Sequence, residues 1–472
     1  MTAVDNRELA VSGGLEPRDR SVSFLAFILR FTEPGGVTVP GVGPDQPQLL
    51  LDRDHRGRPQ LPGTSLAGAL RAMIAARRSP DVAADWFGPV LSGTEADAKA
   101  SRVWVFGSEL LDDAGTAVLS STRIDRWRGA AADSTLRTEE VLQAGTRFTV
   151  FLRWDDAAEA ELADLAALIA AWRPLLGRGT SRGHGRCVVD DVRHGTLHLS
   201  DPDDLLRWLT RHGPDLARAV AVEPVTAPDP VGGVPDEMLF RIPIRIAGPW
   251  RIGTGDKPER GSREPLPLLR SSPDGPPLVP GTAIKGLLRS RAEFILRSVG
   301  VTPLPCLDGR CPDEEGTICW TCQVFGYGGG SDEDATAVGR RAVLRFADTI
   351  VADPVPVNRS HIAIDRFTGG VLDGALYTTE ALEDGTFTIA AELLPSAADE
   401  ATDAARREEI AAVLRLVLDD LDDGIIGMGA ATARGYGSVR VEFGAADGEL
   451  PSTAEARRTL AEMVRGGGGG SR

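Results

Sequence analysis

The chain is poor in aromatic side chains, in cysteine and in positive charge. Aromatic residues make up 5% of its 472 positions, five cysteines are present, and 52 Lys and Arg stand against 68 Asp and Glu. No apolar run reaches the roughly 18 residues that a membrane-spanning helix needs, so we expect no membrane partner. The N-terminus lacks the basic and then apolar pattern of a signal peptide, which predicts a cytoplasmic protein.

The formal charge of −16 argues against a nucleic-acid-binding protein, because phosphate contacts are made by clustered Lys and Arg. It does not exclude one, since an acidic protein can carry a locally basic groove. With 42% hydrophobic and 25% charged residues, the chain has the composition of a folded globular protein. Its length predicts two or three domains.

An internal repeat divides the chain into two halves. LPGTSLAGALRAMIAARR and VPGTAIKGLLRSRAEFILR both open on Pro-Gly-Thr, and IDRWRG and IDRFTGG follow them at matching places. The glycine-rich segments LLGRGTSRGHGRC and IIGMGAATARGYG then precede the last strand of each half. Three matches in the same order predict a duplicated module.

Each half shows the element order of a ferredoxin-like module. FRIPIRI alternates apolar and polar residues, which predicts a strand, and VSFLAFILRF takes the same place in the first half. After Pro-Gly-Thr, where Thr64 or Ser65 can cap a helix, apolar residues recur at helical spacing. Further strands, helices over 157–175 and 402–421, and a final strand complete the order. We therefore predict an α+β protein of two tandem ferredoxin-like modules with hairpin insertions.

The predicted boundaries follow composition. The Pro- and Gly-rich stretch VEPVTAPDPVGGVPDE has no helical or strand periodicity and indicates a linker, whereas the Gly-rich C-terminus indicates disorder. We assign the first module to 1–221, the linker to 222–237, the second module to 238–445 and a flexible tail to 446–472.

Four of the five cysteines form a cluster in the second half. Their spacing, Cys-x4-Cys-x7-Cys-x2-Cys, suits one tetrahedral Zn²⁺, and four thiolates leave no position for water or substrate. We therefore predict a structural zinc site within an insertion near 306–322. Its ligands are Cys306, Cys311, Cys319 and Cys322.

The Pro-Gly-Thr helix starts, the Ile-Asp-Arg segments and the glycine-rich loops together resemble the RAMP superfamily. More closely, they are similar to the repeated backbone subunit of type III CRISPR effector complexes, over about residues 22–195 and 238–445. Two modules in one chain resemble the fusions of the type III-D and III-E variants. The resemblance implies antiviral defence within a ribonucleoprotein complex. Its partners would be a CRISPR guide RNA, target single-stranded RNA and other subunits of the complex.

The resemblance also implies which residues meet RNA. Glycine-rich turns let backbone N–H groups approach phosphates, and the Ile-Asp-Arg segment belongs to a thumb-like hairpin that flips a base. Each feature also has a purely structural explanation: a tight turn for the glycine-rich loops, solvation for the arginines and ordinary packing for the hairpin. The RNA-binding candidates are Arg71, Arg182, Gly183, Lys285, Arg289, Arg434 and Gly435. The thumb candidates are Asp125, Arg126, Trp127, Asp365, Arg366 and Phe367.

The catalytic candidate is Asp45, in the Asp-x-Pro segment where cleaving relatives carry their aspartate. A carboxylate there could hold Mg²⁺ or Mn²⁺, or orient the ribose 2′-hydroxyl for in-line attack. Asp52 and Glu264 are weaker candidates. In the second half, alignment on the prolines puts Arg263 where the first half has Asp45, which favours binding without cutting.

Three functions therefore stay open. The chain is an endoribonuclease subunit that cuts guided target RNA, or a structural subunit that binds guide RNA and spaces its neighbours. A processing nuclease acting alone ranks lower, because the sequence shows no His or Tyr and Lys constellation, and His184 is interpreted as part of its loop.

Overall fold

The described part of the chain is a mixed α+β protein with one large sheet in each half. No helix among these residues is long and apolar enough to cross a membrane. In this computed structural model the described residues are 20–43, 47–89, 100–125, 130–225, 237–255, 264–272, 274–306, 311, 316–328, 339–372, 375–394, 400–448 and 450–467.

The first half forms its large sheet in the order β11-β10-β1-β9-β4, with antiparallel neighbours, and a smaller sheet in the order β2-β3-β8-β5. Its elements are β1 (Ser21–Phe31), β2 (Thr38–Pro40), β3 (Leu49–Leu51), α1 (Gly63–Arg77), α2 (Pro80–Phe87), β4 (Val103–Asp112), β5 (Thr116–Ser121), β6 (Ile124–Asp125), β7 (Ala130–Ala131), β8 (Arg137–Leu142), β9 (Arg147–Asp155), α3 (Glu159–Ala170), β10 (Cys187–His198), α4 (Pro202–Thr210), α5 (Gly213–Val220) and β11 (Glu223–Pro224).

The central strand β1 is buried on both faces, which explains why its polar–apolar alternation is weak. Phe27 and Leu29 face a core that includes Leu66 of α1 and Leu165 of α3. Phe24 faces the opposite side and packs in a separate cluster with residues of α5. Since both faces are covered, both sets of β1 side chains are apolar.

The second half forms its large sheet in the order β14-β17-β12-β18, with β16 paired to β17 and β19 paired to β12. Its elements are β12 (Glu237–Ile246), β13 (Leu278–Val279), α6 (Gly281–Val299), α7 (Trp320–Phe325), β14 (Leu344–Phe346), β15 (Thr349–Ile350), β16 (Ala352–His361), β17 (Tyr377–Leu393), α8 (Glu400–Asp422), β18 (Val439–Val441), β19 (Asp447–Gly448) and α9 (Thr453–Gly467).

The internal repeat extends to equivalent ion pairs. Glu140 accepts from Arg53 at 2.5 Å and from the backbone N–H of Leu51 at 3.0 Å. In the second half, Glu380 accepts from Arg270 and, at 3.0 Å, from the backbone N–H of Leu268. Equivalent glutamates therefore hold the equivalent segment in both halves, although the sequence around them differs.

The flexible tail predicted for 446–472 is wrong over the helix α9. Ser452 and Glu455 form reciprocal hydrogen bonds at its start, and Ala456 and Leu460 are buried. Arg415 of α8 donates to Pro451 O at 3.1 Å and to Thr453 Oγ1 at 3.2 Å. The helix forms because apolar residues at helical spacing precede the glycine run and pack on α8.

The predicted capping of α1 by Thr64 or Ser65 is also wrong. Both helices begin at the glycine, after Pro62 and Pro280, and neither start has a side-chain cap hydrogen bond. In α6 the backbone N–H of Gly281 donates instead to Asp348 Oδ1 at 2.7 Å. A carboxylate distant in sequence thus takes the place of a local hydroxyl.

Candidate RNA-binding interface and metal centre

Each glycine-rich loop is built on a short 3-10 turn. The turns are Thr180–Arg182 and Thr432–Arg434, and each is followed by a glycine with left-handed backbone geometry, Gly183 at φ 90° and Gly435 at φ 81°. Because L side chains rarely adopt this geometry, glycine is favoured at both positions. The predicted loops are therefore present in both halves with the same local conformation.

The two loops have different surroundings. A Cβ on Gly183 would lie 2.6 Å from Asp348 Oδ1 and 2.7 Å from the Asp348 backbone nitrogen, so the first loop packs directly on the second half. A Cβ on Gly435 would meet nothing within 4 Å. The first loop therefore forms part of the contact between the halves, whereas the second is open to a ligand.

Lys285 lies inside that contact. Its Nζ donates to Ser181 Oγ of the first loop at 2.8 Å. Burial, followed by the nearby charges of Arg289 and Arg182, lowers the pKa of Lys285 to about 7. The lysine predicted from sequence to meet RNA thus bridges the two halves at the place where the first glycine loop ends.

The arginines predicted to bind RNA differ in how far their guanidinium groups are turned towards the protein or exposed to solvent. Arg289 donates to Glu293, to Gly326 O and to Cys322 Sγ, so its guanidinium faces the protein. Arg71 donates to Gly88 O at 3.2 Å, and Arg182 lies 4.0 Å from a carboxylate oxygen of Glu139. Arg434 is exposed and donates to Tyr377 Oη at 2.9 Å. Among these four arginines, the one exposed to solvent is Arg434, on the second glycine-rich loop.

A charge cluster that sequence reasoning missed joins the halves. Arg345 is fully buried and donates to Glu33 of the first half and, at 2.8 Å, to Glu392 of the second. Arg186 also pairs with Glu392 and lies 3.4 Å from Glu33. Two arginines and two glutamates therefore neutralise one another across the boundary. No local motif identifies them, since the partners come from distant parts of the sequence.

The second-half hairpin presents an aromatic tip. Phe367 is 99% exposed, and Asp365 Oδ1 accepts from the backbone N–H groups of Phe367 and Thr368, both at 2.8 Å. These bonds hold the pKa of the Asp365 carboxyl below its usual range. Asp365 thus makes the turn that displays Phe367, and Arg366 beside it is exposed.

In the first half, Ile124–Asp125 pairs with Ala130–Ala131 as β6 and β7. Arg126 and Trp127, predicted for the tip of this hairpin, lie outside the described residues. Their role remains a prediction from the repeat.

Asp45, the catalytic candidate, also lies outside the described residues. Strand pairing nevertheless corrects the alignment of the two loops, because Leu49 pairs with Glu139 and Leu266 pairs with Thr379 in parallel bridges. Glu139 and Thr379 directly precede the equivalent glutamates Glu140 and Glu380, so Leu49 is equivalent to Leu266. Counting back two residues in each half makes Glu264 equivalent to Pro47, one residue away from the alignment based on prolines. In the corrected alignment Glu264 therefore falls two positions after Asp45 instead of one.

Asp52, the other weak candidate, follows β3. Its backbone N–H donates to Val37 O at 2.9 Å, and its Oδ1 accepts from Gln60 Nε2 at 3.5 Å. The half-buried carboxylate thus faces its own loop.

The four clustered cysteines converge in space. Their Sγ atoms all lie within 4.8 Å of one another, with separations such as 3.7 Å from Cys311 to Cys306 and 3.6 Å from Cys311 to Cys319. Tetrahedral Zn–S bonds of about 2.3 Å require sulfur–sulfur distances of about 3.8 Å. The residues therefore fit zinc. Among the described residues they are the one such group of metal-ligating side chains, and Cys187 is buried elsewhere, in β10.

A sequence model of the RAMP superfamily matches residues 13–188 and 244–440. Because the two matches cover most of the chain, the chain belongs to the RAMP superfamily and carries the family sequence twice, as predicted. No curated protein matches it. Among solved structures, chains of the type III-B Cmr-beta complex, in the apo state and bound to cognate target RNA, are 13% identical with a TM-score of 0.31. These matches cover 35% of this chain and 96% of the other.

Proposed function

We propose that the chain is a double backbone subunit of a type III CRISPR effector complex, which binds guide RNA and target RNA in the cytoplasm. One observation carries the proposal: in each half the glycine-rich loop lies against the strand that leaves the hairpin. Arg434 of the second loop bonds Tyr377 at the start of β17, and Arg182 of the first loop approaches Glu139 of β8. Loop and hairpin can therefore follow one continuous stretch of RNA backbone.

The strand order supports two ferredoxin-like modules. Numbered within each half, β10-β1-β9-β4 and β14-β17-β12-β18 both follow the order 4-1-3-2, the second read from its other edge. The first module spans about residues 1–221 together with β11, and the second begins at about residue 238 and extends through α9, which packs on α8. The charge cluster around Arg345 links the two modules. Phe367 would then act as the wedge that separates bases, since it is fully available to solvent.

For cleavage, we propose that Asp45 serves the first module. A carboxylate suits a hard divalent cation such as Mg²⁺ or Mn²⁺, which would neutralise the scissile phosphate when bound. Asp45 would hold that ion or orient the ribose 2′-hydroxyl for in-line attack. The corrected register leaves the second module without an equivalent acid, which favours metal-dependent cutting by the first module alone.

The zinc site has a separate role. The thiolates of Cys306, Cys311, Cys319 and Cys322 would hold a structural zinc that secures the segment between α6 and β14. Arg289 links this site to α6 through Cys322. We assign it no part in cleavage, because four protein ligands leave no open coordination position.

The test uses the assembled complex with guide RNA, labelled complementary RNA and Mg²⁺. Asp45→Ala is expected to abolish one cut while guide and target affinity stay nearly unchanged, whereas Glu264→Ala and Asp52→Ala leave every cut in place. Unchanged cutting by Asp45→Ala would leave the alternative function, a structural subunit that binds guide RNA and spaces its neighbours. Loss of guided RNA binding by the unmodified chain would contradict both.

A further inference from the structure

The large sheet of the first half carries a cavity of about 330 Å³ on the face opposite α1 and α3. Side chains of the neighbouring strands β1, β9 and β4 form its floor, and α4 with the turn into α5 forms its wall. Phe24, Phe106 and Arg153 lie on the floor, and Trp208, Arg211 and His212 lie on the wall. Ligand-binding cavities of proteins range from about 300 to 1,000 Å³, so this one suits a single small group.

The floor holds Arg153 between two tryptophans. Strand pairing places Arg153 beside Phe24 of β1 and Trp104 of β4. Its guanidinium carbon lies 4.5 Å from the ring centroid of Trp104 and 5.7 Å from that of Trp208, within the range of cation–π contact. Asp155 accepts from its Nη2 at 2.7 Å. These contacts fix the positions of the cation and of both rings, so a ligand would meet a preformed surface.

The aromatic rings around the cavity are open to solvent. Trp104 is 50% exposed and Phe106 is 38% exposed. Both lie on the Arg153 side of β4, and two residues of a strand span about 7 Å. Trp208 of α4 is half-buried opposite them. Proteins that bind single-stranded RNA use aromatic side chains placed in this way on a sheet to stack unpaired bases.

The rim of the cavity is positive in a chain whose formal charge is −16. Arg211 and His212 are exposed in the turn between α4 and α5. The acids Glu109 of β4 and Asp215 of α5 are both paired with Arg218. A phosphate at this rim would form charge-assisted hydrogen bonds with an arginine. Aromatic rings with cations beside them therefore match the chemistry of a base and its phosphate.

The cavity is separate from the first glycine-rich loop. That loop ends directly before Cys187, which pairs with Phe31 at one end of β1. Arg153 pairs with Phe24, seven residues earlier on β1. At about 3.4 Å per residue, this places the cavity roughly 24 Å from the loop along the sheet. RNA that reaches the cavity therefore extends beyond the predicted contacts at the loop.

We propose that the cavity binds unpaired RNA that extends beyond the guide–target duplex. One base stacks on Phe106 and Trp208, and Arg211 bonds its phosphate. Because every base has a π-face, the site holds RNA without reading its sequence. The competing occupant is a segment of another subunit. The small size of the cavity favours a base, since a stable protein interface buries about 800 Å² per partner.

Because this inference rests on the proposed function, its test first measures formation of the guide–target complex. The assembled complex receives guide RNA and complementary target RNA. In separate samples, one of the two strands carries at one end an unpaired 5-bromouridine extension of about ten nucleotides, within the usual site size of single-strand binders. After irradiation, mass spectrometry is expected to find the extension crosslinked to Trp104, Phe106 or Trp208. The sample that gives the crosslink identifies the strand that supplies the RNA.

Variants of the rim test the same site by affinity. Phe106→Ala combined with Arg211→Ala should weaken binding of the extended RNA by about 5- to 150-fold, the usual contribution of a stacked base. Binding of the same RNA without its extension should not change. The matched control combines Phe294→Ala with Arg458→Ala, which removes an exposed aromatic ring and an exposed arginine of the second half. This control should bind both RNAs as the parent does.

A guide–target complex that forms without crosslinks to the cavity would overturn this inference alone. So would an extension that adds no affinity, or equal losses in the rim and control variants. Crosslinks from the cavity to another protein subunit in place of RNA would assign the surface to subunit contact and overturn the RNA assignment. Failure to form the guide–target complex would overturn the proposed function as well, and the first measurement distinguishes that failure from the others.

Discussion

The fully buried guanidinium of Arg345 donates a hydrogen bond to Glu33, which lies 312 positions earlier in the sequence. Glu392 accepts from the same arginine at 2.8 Å, and Arg186 faces both carboxylates. A buried arginine is tolerated only while its charge is paired, so the relative position of the two halves depends on Glu33.

Glu33→Ala is expected to destabilise the protein by about 3–5 kcal/mol, because it leaves part of the buried charge of Arg345 without its partner. Urea unfolding of the full chain provides the measurement. The matched control is Asp190→Ala, which breaks the partly exposed Arg30–Asp190 pair and should cost only about 0–1 kcal/mol. Equal losses in the two variants would show that the cluster does not hold the halves together.

The cysteine cluster predicts one zinc per chain, since the described residues offer a single group of four converging thiols. Replacing both Cys319 and Cys322 by Ser should release the metal and lower the melting temperature, because zinc binding contributes to folding free energy. Metal analysis by mass spectrometry measures the content. Cys187→Ala should retain a full equivalent, and zinc retained by the double variant would contradict the assignment.

Lys285 predicts a dependence of stability on pH. Its pKa is lowered to about 7 in the folded protein from 10.5, so between these values the unfolded chain binds the proton that the folded chain lacks. The free energy of unfolding should therefore rise with pH across that window. Lys285→Met should be more stable than the parent at pH 6 and lose that advantage towards pH 10. Ser181→Ala, which retains the lysine, should keep the parent's pH dependence, whereas parallel curves for Lys285→Met would exclude the shift.

Replacing Phe367 distinguishes a role in RNA binding from a role in protein stability. Because its side chain is 99% exposed, Phe367→Ala should change the free energy of unfolding by less than about 0.5 kcal/mol. If the ring separates bases, the same variant should alter the chemical reactivity of the bases opposite the second module in the guide–target duplex. Leu206→Ala, at an exposed leucine of α4, is the control. An unchanged base-reactivity pattern in Phe367→Ala would leave the aromatic tip without a role in RNA binding.

Binding of RNA to the assembled complex should weaken steeply with added salt despite the acidic charge of the chain. Phosphate contacts release condensed counterions, with a slope of about −0.7 per contact on a logarithmic scale for single strands. Arg434→Ala should reduce that slope by roughly one contact, whereas Arg289→Ala should leave it nearly unchanged, because Arg289 faces the protein. An affinity that is flat across salt concentrations would contradict a basic groove.

The sequence by itself determined the elements whose signal is local. Alternation in 240–246 predicted β12, helical spacing after Pro-Gly-Thr predicted α1 and α6, and four closely spaced cysteines predicted their convergence. The ordered repeat determined the superfamily, which the match to both halves confirmed. Each of these patterns lies within a short stretch of chain, so side-chain periodicity or spacing carries it directly.

Tertiary structure alone decided which of these residues face one another. Gly183 and Lys285 were predicted from their motifs, but their place between the halves depends on how the first loop packs against Asp348. The prolines misaligned the loops that precede the two Pro-Gly-Thr helices by one residue, because register is set by strand pairing such as that of Leu266 with Thr379 rather than by composition. His361, Tyr377 and Tyr436 share no motif; they meet because a hairpin and a loop close on the same strand, which local sequence does not encode.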